Sequence, residues 1–313
     1  MEGRSGNQRV AVIGAGLAGI AAARELVKRG MTVTVFEKSR GMGGRCASKR
    51  WEGHVIDHGA QYFTIRDERF RAAVLGASGD RVQELAAPVR SRTGGPASLV
   101  SEPTRWFHRE GNSRLVRDLA GDLDVRLETA VAEARTLLRA GGGEFDHVLS
   151  TAPWPQTARL FGIEPADLDL VPCLAVALAY RGEWLGGTSA AYAFREADGP
   201  LAWTACENHK PGRIAPGFTV LLAHLSEPFS RAHLEEPAED YPALVRPMVE
   251  EAWQLPDGAF VAGFGHRWRY ARVEQPLRLP DLPPGLHFAG DAIRASRVED
   301  AWLAGHEFAS NFS

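Results

Sequence analysis

Short apolar stretches and a helical pattern alternate at the start of the chain. Val10–Ile13 is a fully apolar strand of the type buried in parallel sheets, and Thr32–Phe36 is a second strand rich in β-branched residues. Between them, residues 17–29 show helical periodicity that ends in basic residues followed by Gly30. Strand, helix and strand in this order predict one right-handed βαβ crossover.

The later part of the chain contains two kinds of strand pattern. Buried strands like the first two are predicted at 146–152 and 286–289, whereas the patterns at 173–180 and 218–225 are typical of antiparallel sheets. Helical patterns lie among them at 112–119, 154–161, 241–253 and 298–308. Because the parallel type occurs at the beginning, in the middle and at the end, we predict a discontinuous domain with a second domain inserted into it.

The predicted fold class is therefore α/β, with a Rossmann-like dinucleotide-binding domain and an inserted α+β domain on a mostly antiparallel sheet. We expect the nucleotide-binding domain to comprise residues 1–72, 105–160 and 264–313. The inserted domain, which we expect to carry the substrate face, comprises residues 73–104 and 161–263.

The composition is that of an ordinary globular protein, with 44% of the 313 residues hydrophobic and 24% charged. A net charge of −3 and a pI near 6.4 give no reason to expect a nucleic acid or a membrane as partner. The three cysteines lie far apart, which favours a cytoplasmic protein without disulfides. His54, Asp57 and His58 resemble metal ligands, but turn and cofactor contacts are their more ordinary use, so we expect no metal site.

Gly14, Gly16 and Gly19 lie where the first strand meets the first helix. Gly14 permits a tight turn, Gly16 lets the backbone approach a pyrophosphate, and Gly19 lets the helix pack closely on the strand. The N–H groups of the first helical turn, at Leu17 and Ala18, then point at the phosphates. The alternative, a plain glycine-rich turn, is disfavoured by the strands on both sides.

Glu37 ends the second strand, 23 residues after Gly14, where its carboxylate can accept hydrogen bonds from ribose hydroxyls. It would repel a 2′-phosphate, so NADP is disfavoured at this site, whereas NAD and FAD both remain open. The next loop, Arg40–Arg45, favours FAD. Its glycines, Gly44 among them, and the guanidinium of Arg45 bring a second set of groups to the same pyrophosphate.

These residues resemble the flavin-containing amine oxidase superfamily, whose FAD-binding domain is of the glutathione-reductase and amine-oxidase type. Within it, the chain resembles the renalase-like members, the bacterial ones in particular. The similar stretches are spread over almost the whole chain, and together they are far more specific than any one alone. They are KSRGMGGRCASKR (38–50), DHGAQYFT (57–64), residues 111–119 and 203–213, GHRWRYAR (265–272), HFAGD (287–291) and SRVEDAWLAG (296–305).

The resemblance implies FAD held by both ends of the chain, and because no cysteine follows Cys206 we expect the flavin to be bound non-covalently. It places the carboxylate of Asp291 on the ribityl chain, and the helix that follows Arg297 and Val298 with its N-terminus towards the N1 and O2 edge of the flavin. Reduced flavin is negative at that edge, which a helix N-terminus stabilises. Val131, expected in the strand after the 112–119 helix, contacts adenine through its backbone. The remaining implied cofactor contacts are Lys38, Gly59, Ala60, Gln61 and Tyr62.

The substrate face is expected to combine Gln61 and Tyr62 with residues of the inserted domain such as Trp203, His224 and Trp268. We take Gln61, Tyr62, His224 and Trp268 as catalytic candidates. Aromatic rings there can stack on a flat substrate, although packing at a domain seam is an equally ordinary use. For His224, in an apolar alternating strand, a satisfied core histidine is at least as ordinary an interpretation.

A group of basic residues accompanies these aromatic rings. In a chain with a negative net charge, a phosphate-bearing small molecule explains such a group better than a nucleic acid does. The residues expected to form the anionic pocket are Arg267, Arg269, Arg272, Lys210 and Arg213.

The resemblance implies oxidation of isomeric dihydronicotinamide dinucleotides, 2- or 6-dihydro-NAD(P), to NAD(P)+. A hydride passes to flavin N5, and O2 then reoxidises the flavin to give H2O2. Such a transfer needs alignment rather than a general base. An amine oxidase or desaturase of the same superfamily is one alternative, and a flavoprotein that senses redox state without catalysis is another.

Two positions depart from the family pattern. Asp300 stands where relatives usually have glycine, which adds a negative charge near the start of the last helix. Phe229 stands where a tryptophan is common. These departures concern the substrate pocket more than the flavin site.

Overall fold

The computed structural model describes residues 8–92, 98–99, 103–165, 168, 170–183 and 191–312. The strands are β1 (Arg9–Ile13), β2 (Thr32–Phe36), β3 (Ser48–Trp51), β4 (His54–Asp57), β5 (Phe63–Thr64), β6 (Val82–Glu84), β7 (Val89–Arg92), β8 (Ser98–Leu99), β9 (Arg105–His108), β10 (Asp124–Arg126), β11 (His147–Ser150), β12 (Leu170–Arg181), β13 (Ala193–Glu196), β14 (Leu201–Cys206), β15 (Phe218–Leu225), β16 (Phe260–Val273) and β17 (Leu286–Phe288). The helices are α1 (Leu17–Lys28), α2 (Glu68–Ser78), α3 (Asn112–Ala120), α4 (Trp154–Phe161), α5 (Glu227–Ala232), α6 (Tyr241–Trp253) and α7 (Val298–Ser310). No helix in these described ranges has both the length and the apolar character needed to cross a lipid bilayer.

A five-stranded parallel sheet in the order β10–β2–β1–β11–β17 forms the first half of the fold. Its strands come from the beginning, middle and end of the chain, as the recurrence of buried apolar strands predicts. Alternate residues of β1 face opposite cores: Val10 and Val12 pack with α1, α3 and α7, whereas Ala11 and Ile13 pack with Phe161 of α4. The sheet is therefore covered on both faces, as the continuous apolar strand pattern requires.

The first and last helices cross at a close contact that fixes the two ends of the chain together. A Cβ added at Gly305 of α7 would lie 1.9 Å from the carbonyl oxygen of Ala18 in α1. Only glycine fits there, and the alanines that follow in α1, Ala21, Ala22 and Ala23, are all buried. The start of the chain and its last helix are thus built as one unit.

A seven-stranded sheet in the order β16–β12–β15–β14–β13–β7–β8 forms the second half. All its neighbouring strands are antiparallel except β13 and β7, which are parallel. Helix α6 covers it with Tyr241, Val245, Val249 and Trp253, which share one core with the sheet. The predicted fold class, a Rossmann-like domain with an α+β domain on a mostly antiparallel sheet, is confirmed.

Three of the predicted domain boundaries fall inside secondary-structure elements, one of them, at 160/161, just before the last residue of α4. The boundary at 263/264 lies within β16, which pairs with β12 as far as Val273, so residues 264–273 belong to the antiparallel sheet. The boundary at 72/73 lies within α2, whose Phe70 and Val74 both pack in the core of the nucleotide-binding domain. The boundary at 263/264 fails because β16 stays paired with β12 beyond it, and the one at 72/73 fails because one face of α2 packs in a single core on both sides of it. Residues 93–97 and 184–190, within the ranges predicted for the inserted domain, lie outside the described residues.

The strand predicted around 125–133 is shorter than expected. Strand β10 ends at Arg126, and Glu128 adopts a left-handed conformation with φ of 51°, which turns the chain out of the sheet. Val131 therefore lies in an irregular segment after the strand, half-buried against the core that Ala11 and Phe36 share. The expectation that Val131 is a strand residue is wrong.

Candidate functional site

The loop between β1 and α1 is shaped by its three glycines in different ways. Gly14 has φ of +107°, a left-handed conformation suited to glycine, and its N–H donates to the carbonyl of Phe36 at 2.8 Å. A Cβ on Gly19 would lie 2.0 Å from the Gly14 oxygen, so this glycine allows helix and turn to touch. Around Gly16, in contrast, a Cβ would meet nothing within 4 Å. The first and third glycines are required by the fold, and the middle one leaves a face open to a ligand.

A second glycine loop lies directly against the first. The N–H of Gly43 donates to the Ala15 carbonyl at 3.0 Å, and a Cβ on Gly44 would lie 3.5 Å from the Gly16 Cα. Helix α1 has neither a side-chain cap nor an acidic residue in its first turn, so its first N–H groups, at Leu17 and Ala18, are left for an anion. The two loops predicted to hold one pyrophosphate are thus neighbours.

Glu37 lies beside these loops with its carboxylate already oriented. It is buried and accepts hydrogen bonds from the backbone N–H groups of Ala15 at 2.9 Å and Ser39 at 2.8 Å. Each oxygen keeps a lone pair with which to accept from a ribose hydroxyl. Lys38, in contrast, is exposed beyond the strand end.

Arg45 and Asp291 join the two ends of the chain at the rim of the site. The guanidinium donates two hydrogen bonds to the carboxylate, at 2.5 and 2.7 Å, and one to the carbonyl of Ala271 at 3.2 Å. A bidentate pair of this kind fixes both side chains in one geometry. At the start of α7, Arg297 is exposed and Val298 half-buried, and no side chain caps the helix.

The segment from Gly59 to Tyr62 runs past this rim into the junction between the two sheets. A Cβ on Gly59 would lie 2.1 Å from the Arg45 oxygen, and the Ala60 N–H donates to that same oxygen at 2.8 Å. The Ala60 carbonyl in turn accepts from Asn112 at 2.8 Å. Tyr62 is half-buried, with its ring 5.7 Å from that of Trp203.

Gln61 is the residue through which this segment contacts the antiparallel sheet. Its Oε1 accepts from the indole N–H of Trp203 at 2.9 Å and from the hydroxyl of Tyr192 at 3.1 Å. The side chain is only 3% exposed, yet its Nε2 has no hydrogen-bond partner within the described part of the chain. Tyr192 escaped the sequence analysis because no motif marks it.

His224 and Trp268 meet on the other side of this segment, on one carbonyl group. The Trp268 indole donates to the His58 oxygen at 2.9 Å, and Nε2 of His224 lies 3.3 Å from the same oxygen. The rings of His58 and Trp268 are stacked at 5.6 Å, and His266 packs on Trp268 at 4.2 Å. The structure thus brings two of the predicted catalytic residues together and adds His58 and His266. We call these four residues the histidine–tryptophan cluster.

The histidines of this cluster are neutral near pH 7. Burial lowers the pKa of His58 and of His224 to about 4, and it also lowers the pKa of His266. Since its Nε2 faces a carbonyl oxygen, His224 carries its proton on that nitrogen. The cluster therefore offers flat, uncharged rings.

Lys210 and Arg213 do not reach an anionic pocket, contrary to expectation. Both are fully buried, and both donate to Asp57, at 3.0 and 2.5 Å, while Lys210 also donates to Glu207 at 2.9 Å. Burial raises the pKa of Asp57, but the charges of Arg213 and Lys210 and the hydrogen bonds from Ser48 and Asn112 together lower it further, to about 2. We call these four residues the buried charge cluster. A bound substrate finds neither cation free.

The arginines of β16 also have hydrogen-bond or ion-pair partners within the protein. Arg269 makes two hydrogen bonds to Glu235, at 2.7 and 2.9 Å, Arg267 donates to the Leu234 carbonyl, and Arg272 pairs with Glu274 at 3.1 Å. The anionic pocket predicted from these residues is therefore not formed by them, because Glu235, from a distant segment, and Glu274, two residues after Arg272, pair with them.

Lys49 is a cation that the sequence analysis overlooked. Its ammonium lies 4.2 Å from the ring centroid of Phe264, and its charge lowers the pKa values of His58 and His266. Across the described ranges it makes no ion pair, unlike the predicted arginines. It follows Arg45 by four residues, so the motif around the second glycine loop was the available signal.

The two departures from the family pattern lie in different places. Asp300, in the first turn of α7, is 4.0 Å from Arg294, and burial raises its pKa. Its Oδ2 is buried without a hydrogen-bond partner among the described residues. Phe229 packs on His233 at 4.4 Å, at the edge of the core that α6 covers.

The residues present fit FAD. Open backbone at Gly16, an uncapped α1 and the oriented carboxylate of Glu37 suit an adenine dinucleotide. The unpartnered amide of Gln61 lies beyond the Arg45 rim, where a longer ligand would extend. A metal finds no comparable place, since no group of three or more His, Cys, Asp or Glu side chains in the described ranges is arranged to hold one.

The chain matches two known protein families in sequence. The NAD(P)-binding Rossmann-like domain matches residues 12–74, and the flavin containing amine oxidoreductase family matches residues 79–311. Among curated proteins, it is 39% identical over 103 residues to mitochondrial protoporphyrinogen oxidase of Nicotiana tabacum, covering 32% of this chain and 20% of that one. It is 30% identical over 149 residues to putrescine oxidase of Kocuria rosea, covering 48% and 28%. The matched segments thus span only 20% and 28% of the length of these relatives.

Solved structures share the fold over the full length. A provisionally assigned protoporphyrinogen oxidase from Exiguobacterium sp. 255-15 superposes with a TM-score of 0.74, at 14% identity, covering 97% of this chain and 98% of that one. At such identity the likeness establishes the architecture and leaves the substrate open.

Proposed function

This chain belongs to the flavin containing amine oxidoreductase family, and we propose that within it the protein is a renalase-like, FAD-dependent oxidase of isomeric dihydronicotinamide dinucleotides. The substrates are 2- or 6-dihydro-NAD(P), the product is NAD(P)+, and O2 is the final acceptor, giving H2O2. When bound, FAD would supply the redox chemistry, as hydride acceptor for the substrate and as two-electron donor to O2.

The histidine–tryptophan cluster carries this proposal. Hydride transfer from a dihydropyridine ring needs a flat surface that aligns donor and acceptor, and it needs no general base. The stacked rings of His58 and Trp268, 18° from parallel, provide such a surface. Because the histidines are neutral near pH 7, they do not repel the positive charge that develops as the ring becomes a pyridinium.

The charges around the junction favour a dinucleotide over an amine. An alkylammonium substrate is stabilised by a free carboxylate, but both acids of the junction, Asp57 and Glu207, are neutralised by buried cations. A dinucleotide instead needs a cation for its phosphates. Lys49, next to the histidine–tryptophan cluster and without an ion pair among the described residues, supports that role.

Anaerobic reduction of the purified yellow holoprotein tests the proposal. Mixing with 2- or 6-dihydro-NAD(P) should bleach the flavin absorbance rapidly, while ordinary β-NADH should react far more slowly. Trp268→Phe should slow the bleaching, because it removes the indole that donates to the His58 carbonyl. Trp253→Phe is the matched control, since its indole donates to Thr204 at 2.9 Å in the core under α6. That variant should alter stability alone.

Two other outcomes point to the remaining candidates. Rapid bleaching by putrescine or by another amine, with none by the dihydropyridines, would make the protein an amine oxidase, as the relative from Kocuria rosea is named. Bound FAD that no small reductant bleaches would instead support a redox sensor.

A further inference from the structure

The orientation of the Gln61 amide is determined by the chemistry of its neighbours. The indole N–H of Trp203 can only donate, so the atom 2.9 Å from it must be the amide oxygen. Burial raises the pKa of Tyr192 well above its usual value, so its hydroxyl keeps its proton, and it lies 3.1 Å from the same oxygen and 3.4 Å from Oε1 of Glu207. Because the indole N–H cannot accept, the flipped amide would place its NH2 group against another donor, and this rules the flipped orientation out.

The other end of this amide is left with two N–H donors and no acceptor. Nε2 has no hydrogen-bond partner in the described part of the chain, although Gln61 is only 3% exposed. A buried donor without a partner destabilises the fold, so most such groups in folded proteins are paired and an exception calls for an explanation. The carbonyl of the preceding residue, Ala60, is already taken by Asn112.

The position of Gln61 indicates what the acceptor is. Gln61 lies between Arg45, whose carbonyl accepts from the Ala60 N–H, and Trp203 in strand β14 of the seven-stranded sheet. This is the junction where cofactor and substrate have to meet if the proposed function holds. No carboxylate is available to accept here, because Asp57 and Glu207 are both paired with Lys210.

We propose that Tyr192 and Trp203 are positioning residues that hold Gln61 as a pure hydrogen-bond donor, and that Gln61 binds a neutral carbonyl oxygen of the bound ligands. The carbonyl is that of the substrate carboxamide or that of the flavin ring. A donor-only subsite accepts a carboxamide and disfavours an ammonium group, which also has only donors. Trp203, through Gln61, thereby selects the substrate class. The choice of a nicotinamide as substrate rests on the function proposed above.

Equilibrium binding to the oxidised holoprotein tests the substrate arm. Gln61→Glu is isosteric and replaces the free NH2 group with an acceptor, so the Kd of NAD+ should rise at least about tenfold, as loss of one buried hydrogen bond predicts. A pyridine dinucleotide that lacks the carboxamide should bind wild type and variant equally. Gln254→Glu, at the exposed end of α6, adds the same charge elsewhere and should change neither.

Trp203→Phe tests the positioning role separately from stability. Without the indole, the amide can flip, so the Kd of NAD+ should rise by less than in Gln61→Glu, and the two changes together should cost no more than Gln61→Glu alone. Trp253→Phe removes a comparable buried indole hydrogen bond and should lower the thermal midpoint without affecting Kd. Additive effects of the Trp203 and Gln61 changes would overturn the positioning role.

Whether the carbonyl belongs to the flavin is tested by titrating FAD into the apoprotein and recording the absorption spectrum of the reconstituted protein. If the carbonyl belongs to the flavin, Gln61→Glu should weaken FAD binding and shift the visible absorption bands, leaving the NAD+ affinity unchanged. If wild-type protein binds no NAD+ and is not bleached by dihydropyridines, the proposed function fails, and FAD binding alone then decides the role of Gln61. Unchanged FAD affinity, spectrum and NAD+ affinity in Gln61→Glu would overturn the inference.

Discussion

The dinucleotide loops and the domain junction are built on opposite principles. In the loops, backbone atoms form the site: Gly14, Gly16 and Gly43 shape two turns that contact each other through main-chain atoms. At the junction, side chains form the site: Trp203 donates a hydrogen bond to Gln61, and Lys210 donates one to Asp57. A backbone site depends on where a side chain is absent, whereas a side-chain site depends on partners far apart in the chain. The two should therefore fail in different ways when mutated.

The buried charge cluster should show the largest effect. Asp57→Asn keeps the shape but leaves Lys210 and Arg213 short of a counter-charge in a site without solvent. Breaking a buried pair by neutralising one partner costs about 3 to 5 kcal/mol, so we expect a loss of that order in the free energy of unfolding, measured by denaturant titration of the apoprotein.

The control for this change is an exposed pair. Glu274→Gln breaks the ion pair with Arg272, whose side chains are 43% and 54% exposed, and should cost about 0 to 1 kcal/mol. Equal losses in the two variants would mean that the junction is not held by its buried charges.

The glycine loops should separate folding from binding. Gly19→Ala places a Cβ 2.0 Å from the Gly14 oxygen and should destabilise the apoprotein by about 1 to 3 kcal/mol. Gly16→Ala meets no protein atom within 4 Å and has an ordinary φ of −85°, so the apoprotein should be as stable as wild type. Its affinity for FAD, measured by fluorescence titration, should nevertheless fall about tenfold or more.

Gly41→Ala is the matched control for both, because it also meets nothing within 4 Å and lies in the neighbouring loop. It should leave stability and FAD affinity unchanged. A destabilised Gly16→Ala apoprotein would show that this glycine serves the fold rather than the ligand.

This contrast also explains what the sequence could predict. The bounds of α4 and α6 follow directly from helical periodicity, and the glycine spacing with Glu37 marks the nucleotide loop, because all these signals are local. The partners at the junction leave no local signal: Gln61 and Trp203 are 142 residues apart, and Lys210 and Asp57 are 153 apart. A basic residue in the sequence does not show whether an acid will neutralise it, which is why the arginines of β16 were misjudged and Lys49 was overlooked.

Lys49 allows a test of where the junction meets the dinucleotide. Lys49→Met should raise the KM for dihydronicotinamide dinucleotides several-fold, while the rate constant of flavin reduction at saturation stays close to that of wild type, because a contact to phosphate that does not touch the reacting atoms contributes to binding alone. The effect should shrink at high ionic strength, since exposed charges are screened.

Arg269→Met removes a cation that Glu235 already neutralises, and it should leave KM unchanged. The reverse result, with KM sensitive to Arg269 and insensitive to Lys49, would restore the anionic pocket that the sequence suggested.

The smallest expected effect concerns pH and the histidine–tryptophan cluster. Because burial lowers the pKa of His58 and His224 from 6.5 to about 4, the rate constant of flavin reduction should stay constant as pH falls through 6.5 and decline only towards 4. Stability behaves differently. Between these values the unfolded chain binds protons that the folded cluster does not, so the free energy of unfolding should fall as pH drops below 6.5, each histidine adding up to about 1.4 kcal/mol per pH unit to the slope. Replacing His224 by Phe should remove its share of that slope. A decline in the rate constant of flavin reduction near pH 6.5 would mean instead that a histidine of the cluster titrates with an ordinary pKa in the functional protein.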